Sequence, residues 1–207
     1  MRERETIDHD ARYAAYDLTW RDKDPERYTR EFLDGIPLAN GAKVLDFGAG
    51  TGLVTEGLKR IDPSITVDAL DIRESVRDEL VNKGADEVLI GDIRKMDLSG
   101  KGYDHIIACR SLMHLPKESI PAVLRQLSES LNPDGTIHTE VFSSAMAGQS
   151  KDQLVRQGFM NDRWKEEFNP QQIDELFRRA DLHIHNSREY SWPGFHTDIT
   201  RIDAHKM

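Results

Sequence analysis

The 207-residue chain is 38% hydrophobic and 31% charged, which suits one domain, or one domain with a cap. Its 28 basic and 37 acidic residues leave a net charge of −9, and an acidic body repels polyphosphate, so a nucleic-acid partner is disfavoured. No stretch approaches the ~18 apolar residues of a membrane helix, no apolar region follows the charged opening Met-Arg-Glu-Arg-Glu-Thr, and the single cysteine, Cys109, excludes a disulfide framework or a cysteine-based zinc cluster. A cytoplasmic protein with neither membrane partner nor metal is expected.

From residue 40 onward, short apolar runs alternate with amphipathic ones. Lys43–Phe47 reads as a buried strand, Thr51–Arg60 as a helix and Ile65–Asp71 as a second strand. Arg73–Asn82 is helical, with Val76, Leu80 and Val81 on one face, and Glu87–Gly91 and Tyr103–Cys109 are the third and fourth strands. Glu118–Leu131 sets Ile120, Val123, Leu124, Leu127 and Leu131 on a helical stripe. The turn Asn132-Pro-Asp-Gly135 leads into a fifth strand, Gly135–Phe142. Asn169-Pro170, with Gln172 at the capping-box position, starts a helix that buries Ile173, Leu176, Phe177 and Ala180. Leu182–Glu189 and His196–Ala204 close the chain as strands. Strands separated by crossover helices imply a mostly parallel sheet covered on both faces.

Two segments break this rhythm. Residues 1–36 are polar but carry Tyr13, Tyr16, Trp20 and Tyr28, and residues 143–169 form a long connection carrying Phe159 and Trp164. Connections longer than ~12–15 residues in a compact domain are usually functional or disordered, and the aromatics favour order. The expected organisation is an N-terminal helical cap or lid (1–36) and one domain (37–207), with a substrate-side insertion at 143–169.

The main chemical signal is Val44-Leu-Asp-Phe-Gly-Ala-Gly-Thr-Gly52. Asp46 ends a strand, and Gly48, Ala49, Gly50 and Gly52 make the turn into a helix, where glycine lets the backbone turn sharply and a ligand come close. In open parallel sheets ligands bind at the carboxyl ends of the strands. A dinucleotide fingerprint would need glycine at 53, where Leu53 stands, and no Gly-Lys-Ser/Thr of a phosphate loop follows. A carboxylate beside the turn suits a cationic or zwitterionic ligand better than a pyrophosphate.

This segment resembles motif I of the class I S-adenosylmethionine-dependent methyltransferases. Further stations of that family follow in order: Asp71 in Ala-Leu-Asp-Ile-Arg, Asp92 in Gly-Asp-Ile, Tyr103-Asp-His-Ile-Ile-Ala-Cys-Arg-Ser-Leu-Met-His-Leu-Pro116 and Pro133-Asp-Gly135. The resemblance covers about residues 40–142 closely and 170–204 loosely. It implies a Rossmann-like α/β fold, a seven-stranded mostly parallel sheet whose last strand is antiparallel. It also implies S-adenosyl-L-methionine as cofactor and S-adenosyl-L-homocysteine as product. Asp71 would hold the ribose hydroxyls, Asp92 the adenine amine, and Ile72 and Ile93 the adenine faces. The backbone near Gly48, Cys109 and Arg110 would hold the methionine end. An ordinary strand-end turn residue is the alternative for Asp71 and for Asp92 taken singly.

Acceptor chemistry is less legible. His114, just after the fourth strand, is a candidate general base, or a residue that packs and orients its loop. Glu140 is a second candidate base. It would equally serve to hold a substrate amine or to pair with an arginine, since a buried carboxylate is costly without a partner. Arg110 would take a substrate carboxylate or form a salt bridge, and His138 reads as a satisfied structural histidine. Tyr16 and Trp20 lie about one turn apart on a helical face and, with Trp164, are candidates for the substrate side; packing on the body is the alternative for the first two. The absence of Asn-Pro-Pro-Tyr, Asp-Pro-Pro-Tyr and Pro-Cys motifs after the fourth strand argues against base-methylating enzymes. Methyl transfer to a small molecule by a monomer or homodimer is the leading expectation. Transfer of another group from the same cofactor, or a cofactor-binding scaffold without catalysis, are the alternatives.

Overall fold

The computed structural model describes residues 32, 33, 36, 38–142, 170–191 and 198–206. The expected cap and insertion, and the Asn169 cap, lie outside these residues. Seven strands form one sheet in the order β3-β2-β1-β4-β5-β7-β6. The chain divides into two compact units, Met1–Gly91 and Asp92–Met207.

In the first unit, β1 (Lys43–Phe47) pairs in parallel with β2 (Thr66–Asp71), and β2 with β3 (Glu87–Ile90). β1 and β2 are buried almost throughout, as strands covered on both faces must be. α1 (Leu53–Ile61) buries Val54, Thr55 and Leu58. It begins two residues later than the periodicity predicts, because Gly52 takes a left-handed φ of 77° at the cap. After a short 3₁₀ turn, α2 (Arg77–Asn82) buries Leu80. Leu80 packs with Ala49, Ala69 and Val76, and Ala85, Val88 and Ile90 close around them. The glycine turn thus rests on an apolar floor.

In the second unit, β4 (Tyr103–Cys109) and β5 (Leu131–Phe142) run parallel. α3 (Ile120–Ser130) connects them and buries Ile120, Val123, Leu124 and Leu127 of the predicted stripe, whereas Leu131, expected on the same helix, begins β5. β5 starts at Leu131, not Gly135: Tyr103 pairs with Leu131 and then His105 with Thr136, so the predicted turn is a register shift inside the strand. A Cβ on Gly135 would lie 2.9 Å from the Tyr103 carbonyl oxygen, which is why glycine ends that irregularity. α4 (Pro170–Arg178) buries Ile173, Leu176 and Phe177. β6 (Leu182–Ser191) and β7 (Asp198–Lys206) follow, with β7 antiparallel to both β5 and β6. The predicted seven-stranded, mostly parallel class with an antiparallel last strand is the one observed. No described helix is long and apolar enough to cross a membrane.

Candidate functional site

The turn after β1 is held from both sides. The N–H groups of Gly48 and Ala49 donate to the Leu70 carbonyl at 2.8 and 2.9 Å, and the Gly52 N–H donates to the Ala49 carbonyl at 2.8 Å. Gly48, Gly50 and Gly52 all have positive φ (70°, 58° and 77°), a region costly for residues with a Cβ. At Gly52 a Cβ would also come within 3.0 Å of Leu80 Cδ2 and 3.1 Å of Lys83 Cδ. Gly52→Ala is therefore expected to lose roughly 1–3 kcal/mol of stability through strain and crowding, measured by urea unfolding. A loss below about 0.5 kcal/mol would contradict this packing.

Two carboxylates flank the turn. Asp46, 2% exposed, accepts from the Thr55 N–H at 3.0 Å and the Thr55 hydroxyl at 2.7 Å, tying β1 to α1. Burial pushes its carboxyl up to about 6; the Thr55 hydrogen bonds pull the other way and the Asp71 charge adds to the rise. A cation nearby would favour the charged form. Asp71 Oδ2 accepts the Gly50 N–H at 2.8 Å, while Oδ1 accepts the Arg73 N–H and Nε–H, each at 3.0 Å. Next to it, Ile72 is 64% exposed.

The second unit carries the remaining candidates. Asp92 accepts from Arg94 through N, Nε and Nη2 at 2.6–3.1 Å, and the Arg94 hydrogen bond lowers its carboxyl from the ordinary value. Ile93 is 4% exposed, so its side chain is covered, unlike that of Ile72. At the end of β4, Arg110 has φ 53°, a conformation rare for a residue with a side chain and concentrated at functional sites. Its N–H donates to the Glu140 carbonyl at 3.0 Å, and its Nε lies 3.7 Å from Glu140 Oε2. Glu140 is 1% exposed and also lies 3.7 Å from the Cys109 Sγ. Of the three roles left open for Glu140, the arginine pair is present. Beside Arg110, the Ser111 hydroxyl is buried with no hydrogen-bond partner among the described residues. His114 ends a 3₁₀ turn and is exposed, while Leu112 and Met113 before it are buried. Tyr16, Trp20 and Trp164 lie outside the described residues.

A buried polar chain was not foreseen. His138 Nδ1 lies 2.9 Å from Asp203 Oδ1, and His138 Nε2 lies 2.6 Å from the Thr136 hydroxyl, itself 2.8 Å from His105 Nδ1. Arg201 Nε and Asn186 Nδ2 donate to Asp203 at 3.1 and 2.7 Å. Burial works against the Asp203 carboxylate, yet hydrogen bonds from His138 and Asn186 and the Arg201 charge bring it down to about 2. An ionised Asp203 fixes every proton: His138 donates from Nδ1, accepts from Thr136 at Nε2, and Thr136 accepts from His105. His138 is the satisfied structural histidine the sequence suggests. Burial lowers its imidazole more than Asp203 raises it, and burial with the nearby His138 lowers His105 to about 4.

These shifts oppose one another. Between pH 6.5 and 4 the unfolded chain takes up a proton at His105 that the folded chain refuses, so acidification costs stability there. Between pH 3.8 and 6 folded Asp46 holds a proton that the unfolded chain releases, so acidification adds stability. On going from pH 6 to 4, urea midpoints of His105→Gln should therefore fall less steeply than wild type, and those of Asp46→Asn more steeply. Parallel profiles for the three proteins would contradict these environments.

Comparison with known proteins bears on this geometry. Residues 44–135 match the methyltransferase domain family model. That stretch contains the glycine turn, Asp71, Asp92 and the end of β4. The chain is 28% identical over 120 residues to the ornithine lipid N-methyltransferase of Singulisphaera acidiphila, covering 53% of this chain and 62% of that one. It spans about half the length of the curated relatives it matches. A Clostridium acetobutylicum S-adenosylmethionine-dependent methyltransferase superposes with TM-score 0.70 at 15% identity, covering 94% of this chain and 98% of that one. The glycopeptide N-methyltransferase MtfA, crystallised with sinefungin, superposes with TM-score 0.68 at 16% identity, covering 89% and 87%. The chain thus shares the fold of these methyltransferases.

Proposed function

We propose that this protein transfers the methyl group of S-adenosylmethionine to a small-molecule acceptor. The observation that carries the reading is the Asp71 carboxylate, fastened to the glycine turn through the Gly50 N–H at 2.8 Å and followed by the exposed Ile72. A carboxylate on a rigid strand end can accept both hydroxyls of a ribose, and an exposed isoleucine beside it offers an apolar face to adenine. The fit is supported by open space at Gly50, where a Cβ would meet nothing closer than Arg73 Nη2 at 3.8 Å. The Asp46 carboxylate beside the turn adds a negative charge that a cationic ligand group would favour. In this reading Asp71 and Ile72 hold the nucleoside, with Asp92 and Ile93 at the adenine. The backbone of the glycine turn and of Cys109 and Arg110 holds the amino-acid end.

When bound, the cofactor supplies an electrophilic methyl on a sulfonium with a neutral leaving group. The chain's own contribution is then to orient the acceptor, exclude water and take a proton where the acceptor carries one. Orientation alone can be worth ~7–11 kcal/mol. Glu140 is the proposed group for holding an acceptor amine or removing its proton, and Arg110 fixes that carboxylate. His114 is proposed as a second base. The small-molecule class draws support from the lipid and glycopeptide acceptors in the names of the two N-methyltransferases above, and from the net charge of −9. Residues 1–36 and 143–169 are proposed as the cap and the substrate-side insertion, with Tyr16, Trp20 and Trp164 among the acceptor contacts.

The test is incubation of the protein with methyl-labelled S-adenosylmethionine and fractionated cell extract. Label is expected in the small-molecule fraction. Label in protein or nucleic acid would overturn the acceptor class, and S-adenosylmethionine binding without any transfer would make the protein a cofactor-binding scaffold.

A further inference from the structure

The tripeptide Asp-Ile-Arg occurs twice, at 71–73 and 92–94, each time at a position where a nucleoside-binding carboxylate is proposed. Each time the arginine folds back on the aspartate two residues before it. The Arg73 N–H and Nε–H reach Asp71 Oδ1 at 3.0 Å, and Nη2 stands 3.5 Å from Oδ2. The Arg94 N–H and Nε–H reach Asp92 Oδ1 at 3.0 and 2.8 Å, and Nη2 reaches Oδ2 at 2.6 Å.

A carboxylate has about four acceptor positions. At Asp71, two are taken by backbone N–H groups, those of Gly50 and Arg73, and the other two face the Arg73 guanidinium. A ribose diol brings two donors of its own. The backbone donors can stay, but the guanidinium has to leave. Its position says the same, because it lies over the turn, 3.8 Å from where a Gly50 Cβ would be. That is the space in which the backbone is open to a ligand.

We propose that Arg73 sets the affinity of the cofactor site by competing with the ribose diol for Asp71. The proposal rests on the cofactor reading given above and adds an intramolecular rival to it. Arg94 stands in the same relation to Asp92. Partly buried charge pairs of this kind are worth enough to shift an equilibrium severalfold, and a rival that must be displaced weakens binding by that factor.

The test is calorimetric titration of S-adenosylhomocysteine into wild type, Arg73→Ala and Arg73→Lys, with thermal unfolding as a check on each fold. Arg73→Ala is expected to bind about threefold to tenfold more tightly, with Arg73→Lys between it and wild type. The gain should shrink as salt rises, since screening weakens the rival in wild type. NMR titrations with adenosine and 2′,3′-dideoxyadenosine provide the readout that a merely structural role would not move. Adenosine should share the gain, and the dideoxy compound, which has no diol to displace the guanidinium, should not. Unchanged or weaker S-adenosylhomocysteine binding by Arg73→Ala, or an equal gain for the dideoxy compound, overturns the proposal alone. Absence of binding by all three proteins removes the cofactor reading and this proposal with it.

Discussion

Asp71→Ala is expected to weaken S-adenosylhomocysteine binding on the order of 100-fold. Hydrogen bonds to a charged acceptor contribute about 1.5–3 kcal/mol each. Losing two ribose bonds would cost about 3 kcal/mol or more, and 1.4 kcal/mol is a factor of ten. The same change removes the anchor of the Gly50 N–H, so the turn loses a fixed point as well as its ligand contact. It also frees Arg73, which ends the competition proposed above and trims the loss. Asp71→Asn keeps the shape and one acceptor oxygen, and it should fall between alanine and wild type. Isothermal titration decides the matter: equal affinity in wild type and Asp71→Ala would remove Asp71 from the site.

Asp203→Ala is expected to give the largest loss of stability, about 3–5 kcal/mol, because it leaves buried partners of one carboxylate without their acceptor. Arg201 is 1% exposed and His138 2%, so water does not readily replace what the aspartate provides. Against a typical total of about 5–15 kcal/mol, such a loss would bring the fold close to its limit. Replacing both partners with apolar residues of similar volume (Asp203→Leu with Arg201→Met) should recover part of it, since a buried charge without its partner is worse than none. The acid limb checks the cause. Asp203 contributes stability that is present above pH 3.8 and lost as pH falls towards 2, and that loss should be missing from the double variant. A urea-unfolding cost for Asp203→Ala below about 1 kcal/mol would contradict the buried chain.

Local signals carried most of the architecture. Strand β1, the stripe on α3 and the glycine turn follow from period and composition within a few residues, and all appear where those patterns put them. Boundaries failed where a single backbone conformation intervenes. The left-handed Gly52 delays α1, and the register shift between Tyr103 and His105 draws Asn132–Gly135 into β5. The site divides in the same way. The glycine turn was legible in one short motif and Asp71 in a second, Ala-Leu-Asp-Ile-Arg. The repeated Asp-Ile-Arg was missed, and only geometry shows each arginine turning back on its carboxylate.

The chain from His105 to Asp203 needs a pairing across 65 positions, and a single sequence does not set the register of β5 against β7. Thr136, His138 and Glu140 alternate on β5, as Arg201 and Asp203 do on β7. Which row faces which was not legible. For Glu140 the structure shows the pair with Arg110, and that pair is compatible with the amine-holding role proposed for the carboxylate.

A crystal structure grown with S-adenosylhomocysteine would show whether the glycine turn and Asp71 hold the cofactor. The nucleoside is expected beside the Gly48–Gly52 turn, with both ribose hydroxyls within hydrogen-bonding distance of Asp71 and Ile72 against the adenine. The ligand bound elsewhere, or a turn that stays empty at saturating ligand, would contradict that placement.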